Sequence, residues 1–216
     1  MILNHRRLTS GLFIIPALLT LFFVSCMGAS SNIIINSNGS GTITQVFRVS
    51  LDIQKLGEGS EGTLSVPSDR EDLERTIESI PGLRLVSFTS REDEKDFILT
   101  AEIAFDNPEA LATYMESGEQ KISIDFKGKK IKMHFDAGDS DDSSFMDMFA
   151  SSFTGYDFAI SFALPGRAKA VWYDAGGKAI QNYPGTCTVK DKAVSYSVPM
   201  TDLISLKNSM DLVITW

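Results

Sequence analysis

The sequence predicts an α+β fold, mostly antiparallel β-sheet with about three short helices packed on one face. Three observations predict it. Apolar and polar residues alternate at period two through most of the chain, the mark of strands with one wet face. Two helix starts are written in capping residues, Ser68-Asp69-Arg70-Glu71 after Pro67 and Asn107-Pro108. Turn residues separate the alternating runs, so that expected strands outnumber helices about ten to three.

The first residues belong to a different category. Arg6 and Arg7 form a basic start, and Leu8 to Val24 is then almost wholly apolar, broken by Thr9, Ser10, Gly11, Pro16 and Thr20. Such a stretch reads as a signal peptide over residues 1–25 rather than a fold element. It ends Phe23-Val24-Ser25-Cys26. Ser25 is small enough for the narrow pocket before a cleavage site, and Cys26 offers a thiol for lipid. The four residues resemble the lipobox of bacterial lipoproteins, in a relaxed, spirochaete-like form with Phe23 where Leu is common. That resemblance implies lipidation (palmitate-type acylation) of Cys26 and a membrane-anchored protein of the cell envelope, facing periplasm or cell exterior. Two other readings use the same residues: an uncleaved anchor, since about 17 to 25 apolar residues span a bilayer, and ordinary cleavage near Ala29.

Residues 26–42, rich in Ser, Asn and Gly around Ile33-Ile34-Ile35, are expected to be a polar tether with at most a short strand. From Ile43 the alternation begins, with Ile43, Phe47, Val49, Leu51 and Ile53 on one side. Gly57 to Gly62 reads as a loop. Leu73, Ile77 and Ile80 have helical spacing, stopped by Pro81-Gly82. Leu83–Thr89 and Phe97–Phe105 form an expected hairpin around Arg91–Lys95, and a helix from Asn107-Pro108 runs to Gly118. Ile122, Ile124 and Phe126 turn through Lys127-Gly128-Lys129 into Ile131, Met133 and Phe135. After the acidic stretch Asp136 to Ser144, strands resume at Tyr156–Leu164, Ala168–Asp174, Thr186–Val189, Ala193–Val198 and Met210–Trp216.

Composition narrows the partners. The formal net charge is −8, and removing Arg6 and Arg7 with the leader makes the remainder more acidic still. An acidic surface repels phosphate backbones, so nucleic acid is not expected. Electrostatic docking on anionic lipid is not expected either, which leaves the anchor as the membrane contact. Cys26 and Cys187 are the two cysteines; with the first lipidated, no disulfide holds the fold, and Cys187 reads as a small buried hydrophobe.

The chemical motifs are sparse. His134 alternates with Lys130 and Lys132, which places it on the polar side of its strand, and nothing in the spacing pairs it with Cys187 as a nucleophile. One His and one Cys do not make a zinc site. The Asp136–Asp142 loop fails the calcium template: counted from Asp139, Ser144 stands where Gly is needed and Ala150 where Glu is needed. No enzyme, metal or cofactor is therefore expected. Phe145, Met146, Met148, Phe149 and Phe153 are the most informative group. On a helix Phe145, Met148 and Phe149 line one stripe, which either fills the core or, being adaptable and polarizable, contacts an apolar ligand.

Gly39-Ser40-Gly41-Thr42 before a long strand, Leu164-Pro165-Gly166 after an alternating strand, and the terminal Val213-Ile214-Thr215-Trp216 resemble LppM-type envelope lipoproteins. The resemblance covers most of residues 43–216 and implies an α+β LppM-like domain associated with lipid or glycolipid binding. The membrane helix that ends the mycobacterial members has no counterpart before Trp216. The expectation is a non-enzymatic, membrane-anchored lipoprotein that binds a lipid or other apolar ligand. The alternative is a protein–protein interaction scaffold of the envelope.

Overall fold

A computed structural model of the protein describes residues 27–51, 70–117, 121–137 and 153–216. The described strands are β1 (Met27–Ile35), β2 (Gly41–Ser50), β3 (Leu83–Glu92), β4 (Asp96–Phe105), β5 (Lys121–Asp125), β6 (Lys130–Phe135), β7 (Asp157–Ala163), β8 (Lys169–Asp174), β9 (Ala179–Ile180), β10 (Thr186–Lys190), β11 (Ala193–Pro199) and β12 (Met210–Thr215). The helices are α1 (Arg70–Glu78), α2 (Pro108–Ser117) and α3 (Met200–Ile204). The strands build a seven-stranded sheet, β10-β11-β7-β1-β2-β4-β3, and a five-stranded sheet, β5-β6-β12-β8-β9. Every neighbouring pair is antiparallel except β1 and β7. The α+β class and the antiparallel majority thus hold.

The largest departure from expectation is β1. Residues 27–35 are not a tether but a nine-residue strand, paired with β2 along its whole length and with β7 from Ala29 to Ile34. Its inward side is Ser31, Ile33 and Ile35, all buried, while Ser30, Asn32 and Ile34 are exposed. The alternation is there, but small polar side chains on both faces conceal it. A tight turn at Asn36–Ser40 joins β1 to β2: Gly39 adopts φ +87°, open to glycine at no steric cost, and Asn38 Oδ1 accepts from Ser40 N at 3.2 Å.

Several local signals on described residues acted as read. Leu73, Ile77 and Ile80 are buried, and Gly82 ends the helical segment at φ +87°. Asn107 caps α2, its Oδ1 accepting from Ala110 N at 2.8 Å. On β4, Leu99, Ala101, Ile103 and Phe105 point into the core, and on β12 Met210, Leu212 and Ile214 do the same. Ser68, Asp69 and Gly118 lie outside the described residues.

Buried side chains from both sheets form one cluster, so the sheets pack over a shared core. Phe135 on the smaller sheet meets Phe158 and Tyr196 on the larger, with ring centroids 6.2 and 5.5 Å apart. The helices do not form a clear layer on one face. α1 lies against β3, α2 bridges β4 and β5, and α3 packs on β11 and β7. Cys187 is unpaired. Stability therefore rests on burial, about 1.5 to 3 kcal/mol for each large apolar side chain.

Candidate functional site

Strand directions decide which residues can meet. β1 and β7 start at the same end of the larger sheet, where β2 ends and β4 begins: Met27 lies opposite Val49, Ala29 opposite Phe158, and Ser50 opposite Asp96. At this end Asp96 is only 4% exposed and has both carboxylate oxygens occupied. Arg48 donates to Oδ2 through Nη2 at 2.8 Å and Nε at 3.1 Å, and the Tyr156 hydroxyl donates to Oδ1 at 2.5 Å. Asp93 Oδ1 accepts from the backbone N–H of both Lys95 and Asp96 at 2.9 Å, fixing the β3–β4 turn. Those two bonds hold the Asp93 carboxyl below the usual carboxylate range. The Tyr156 ring faces Gly28, where an added Cβ would sit 3.3 Å from Cδ1.

This is a polar clasp across β1, β2, β4 and the start of β7. With both oxygens of its carboxylate engaged by Arg48 and Tyr156, Asp96 ties the strands together at this end of the sheet. Burial, reinforced by the hydrogen bond to Asp96, pushes the Tyr156 hydroxyl up to about 12, and burial raises Tyr114 and Tyr196 as well. A raised pKa favours the protonated folded form. The stabilisation is complete below the unfolded value of about 10 and is lost as pH climbs through the folded values. A phenolate absorbance titration should show a late phase that coincides with loss of tertiary structure, reduced by one tyrosine in Tyr156→Phe. Ionisation of all five tyrosines in one phase at the ordinary phenol value, with the fold intact, would refute it.

A second polar cluster occupies the solvent side of the smaller sheet. His134 Nδ1 lies 2.7 Å from Asp211 Oδ1 and Nε2 lies 3.2 Å from Asp136 Oδ1. Lys132 reaches Asp211 at 2.9 Å and Lys121 reaches Asp136 at 2.8 Å. Burial opposes ionisation of Asp211, but hydrogen bonds from His134 and Lys132 outweigh it and lower its pKa. The bond from Lys121 holds Asp136 low too. Both carboxylates are neutralised by lysine, and among the described residues no group of three or more His, Cys, Asp or Glu is arranged to hold a metal ion.

Cys187 lies on β10 of the other sheet, opposite Tyr196 and packed against the core. His134 and Cys187 are thus on different sheets, and no Cys–His pair forms. Burial raises the thiol above its ordinary pKa, which makes it a poor nucleophile. Trp172 completes this region, stacked on Tyr183 at 4.6 Å and edge-on to Tyr196 at 4.8 Å. Its Nε1 is buried and has no hydrogen-bond partner of ordinary geometry among the described residues.

Of the five expected ligand-binding residues, Phe153 is described. It is 1% exposed, in the single turn closed by Tyr156 N donating to Phe153 O at 3.1 Å, and it fills core space. Phe145, Met146, Met148 and Phe149 lie outside the described residues, as do Cys26 and most of the Asp136–Asp142 loop. Among the described residues no helix is long and apolar enough to cross a membrane. Sequence reading missed the Arg48–Asp96–Tyr156 clasp, because Asp96 reads as the end of the charged Arg91–Lys95 turn. It also missed Gln45, buried on the inner side of β2 with its Oε1 accepting from Tyr114 at 2.5 Å. No family model matches the chain, and a search of curated proteins finds no match.

Proposed function

We propose that the protein is a non-enzymatic envelope lipoprotein, anchored through lipid on Cys26, that binds a lipid or other apolar ligand. The observation that carries the anchor is a coincidence of boundaries. The apolar leader stops at Val24 and the thiol stands at Cys26, while the first strand starts at Met27. Cleavage before Cys26 would remove the leader and leave every described element intact.

Lipid binding is supported by the LppM-type resemblance and by the chemistry of Phe145, Met146, Met148 and Phe149, which lie a few residues before Phe153. The helices contribute Leu73, Ile77, Leu111, Met115 and Met200 to the same core as the smaller sheet. This supports reading them as lying, with that sheet, on one face of the larger one. The scaffold alternative would dock a partner on a sheet edge or on the apolar helix. Edge strand β3 carries a bulge between Leu85 and Ser87 and charged Arg84, Arg91 and Glu92, devices that discourage strand addition.

The double change Phe145→Ala with Phe149→Ala tests the ligand. Binding of a fluorescent fatty acid is expected to weaken at least severalfold, with a stability loss below the ~2 to 5 kcal/mol of a core truncation. Large destabilisation with unchanged affinity in the folded fraction would assign both side chains to the core. No fatty-acid binding in the parent protein would favour the scaffold.

A further inference from the structure

We infer that the protein docks end-on against the bilayer, with the β3–β4 turn and the end of β2 facing the headgroups and the β1–β2 turn pointing away. The inference rests on the lipoprotein reading and extends it from an anchor to an oriented surface.

The argument starts from chain length. A lipid on Cys26 keeps that residue at the headgroup level, and the next Cα lies about 3.8 Å further on. That next residue is Met27, already opposite Val49 in the β1–β2 ladder. From Ala29 the strand is also held by β7 on its other side. No flexible spacer lies between the lipidated residue and a strand inside a seven-stranded sheet. A ten-residue polar tether would let the domain stand off by roughly 16 to 19 Å and tumble. Here the sheet itself carries the constraint.

Strand pairing then names the surface. Met27 is level with Val49, and Ser50 with Asp96, so the Glu92–Asp96 turn sits at the anchored end. Leu51 N donates to Lys95 O at 2.9 Å, which ties the end of β2 to that turn. The Arg48–Asp96–Tyr156 clasp makes this end rigid, because it joins β2, β4 and the start of β7 beside Gly28 of β1. At the far end of β1, the Asn36–Ser40 turn is about 26 Å away along the strand. Among the described residues the anchored rim carries Glu92, Asp93, Glu94 and Asp157 against Arg48, Arg91 and Lys95. Attraction to anionic headgroups would not produce this orientation, so it comes from the covalent attachment and should be insensitive to salt.

The test uses the processed, lipidated protein in phosphatidylcholine vesicles containing a headgroup-spin-labelled lipid. Cys187→Ser is the background, so a fluorophore can be placed on Glu94→Cys or on Ser37→Cys, both exposed turn positions. The probe at 94 should lose most of its emission to the quencher, and the probe at 37 should keep its own, in low and high salt alike. Inserting about ten Gly/Ser residues between Cys26 and Met27 should abolish the difference. Equal or reversed quenching in the parent overturns the orientation, as does a difference that survives the insertion. Mass spectrometry of the N-terminal peptide separates the two failures. Absence of acyl mass on Cys26 sinks the anchor and the orientation with it, whereas acylated protein with equal quenching sinks the orientation alone.

Discussion

Cys26→Ser is expected to leave the protein without lipid and to stop its processing as a lipoprotein. The effect should be all-or-none, because the acyl chains can be built on no other residue: oxygen does not replace sulfur in the thioether, and the remaining cysteine, Cys187, lies in β10 against the core. Growth with a radioactive fatty acid should label the parent and not the variant, and the variant should accumulate as precursor. The domain should melt at the same temperature in both, since Cys26 precedes the first strand. Label retained in the variant would remove the basis of the anchor and of the end-on orientation together. A parent that carries no label and keeps residues 1–25 would instead favour the uncleaved leader.

Gly41→Ala is expected to destabilise the fold strongly. Gly41 opens β2 between Ile35 on β1 and Phe105 on β4. A Cβ there would lie 1.8 Å from Ile34 O and 2.4 Å from Phe105 Cζ. The Phe105 ring is buried, and the Ile34 oxygen is main chain in a strand held on both sides, so neither can retreat cheaply. Overpacking of this kind costs ~1 to 3 kcal/mol and sometimes more. With a backbone atom as the obstacle, about 3 kcal/mol or above is expected. For a domain of this size that is a fall in Tm of roughly 6 to 12 °C. Adding Phe105→Leu should recover little, because it removes the ring contact and not the carbonyl. A Tm within a degree or two of the parent would show that the β1–β2 ladder can shift, contrary to its central place in the sheet.

Both results bear on β1, where sequence and structure part company. On β4 and β12 the alternation is carried by large apolar residues such as Leu99, Ile103, Leu212 and Ile214, so the inward face is legible residue by residue. The caps at Asn107 and Gly82 are legible too, because each solves a local problem of unpaired backbone groups or positive φ. In β1 the same alternation runs through Ser30, Ser31 and Asn32, and composition then suggests a tether. Ser31 nonetheless lies on the buried side of the strand with Ile33 and Ile35, and Asn32 Oδ1 accepts from Ser161 Oγ of the neighbouring β7 at 2.8 Å.

What the sequence determined by itself is local: the helix cap at Asn107, the stop at Gly82 and the inward face of each strongly apolar strand. The tertiary structure alone decided the partners. It put β1 parallel to a strand more than a hundred residues away, divided the twelve described strands between two sheets, and brought Arg48, Asp96 and Tyr156 into one clasp. The physical reason is that periodicity reports only which side of a segment leaves water. The choice of neighbour comes from long-range packing and hydrogen bonding, and for a strand of small polar residues those are what make it a strand at all.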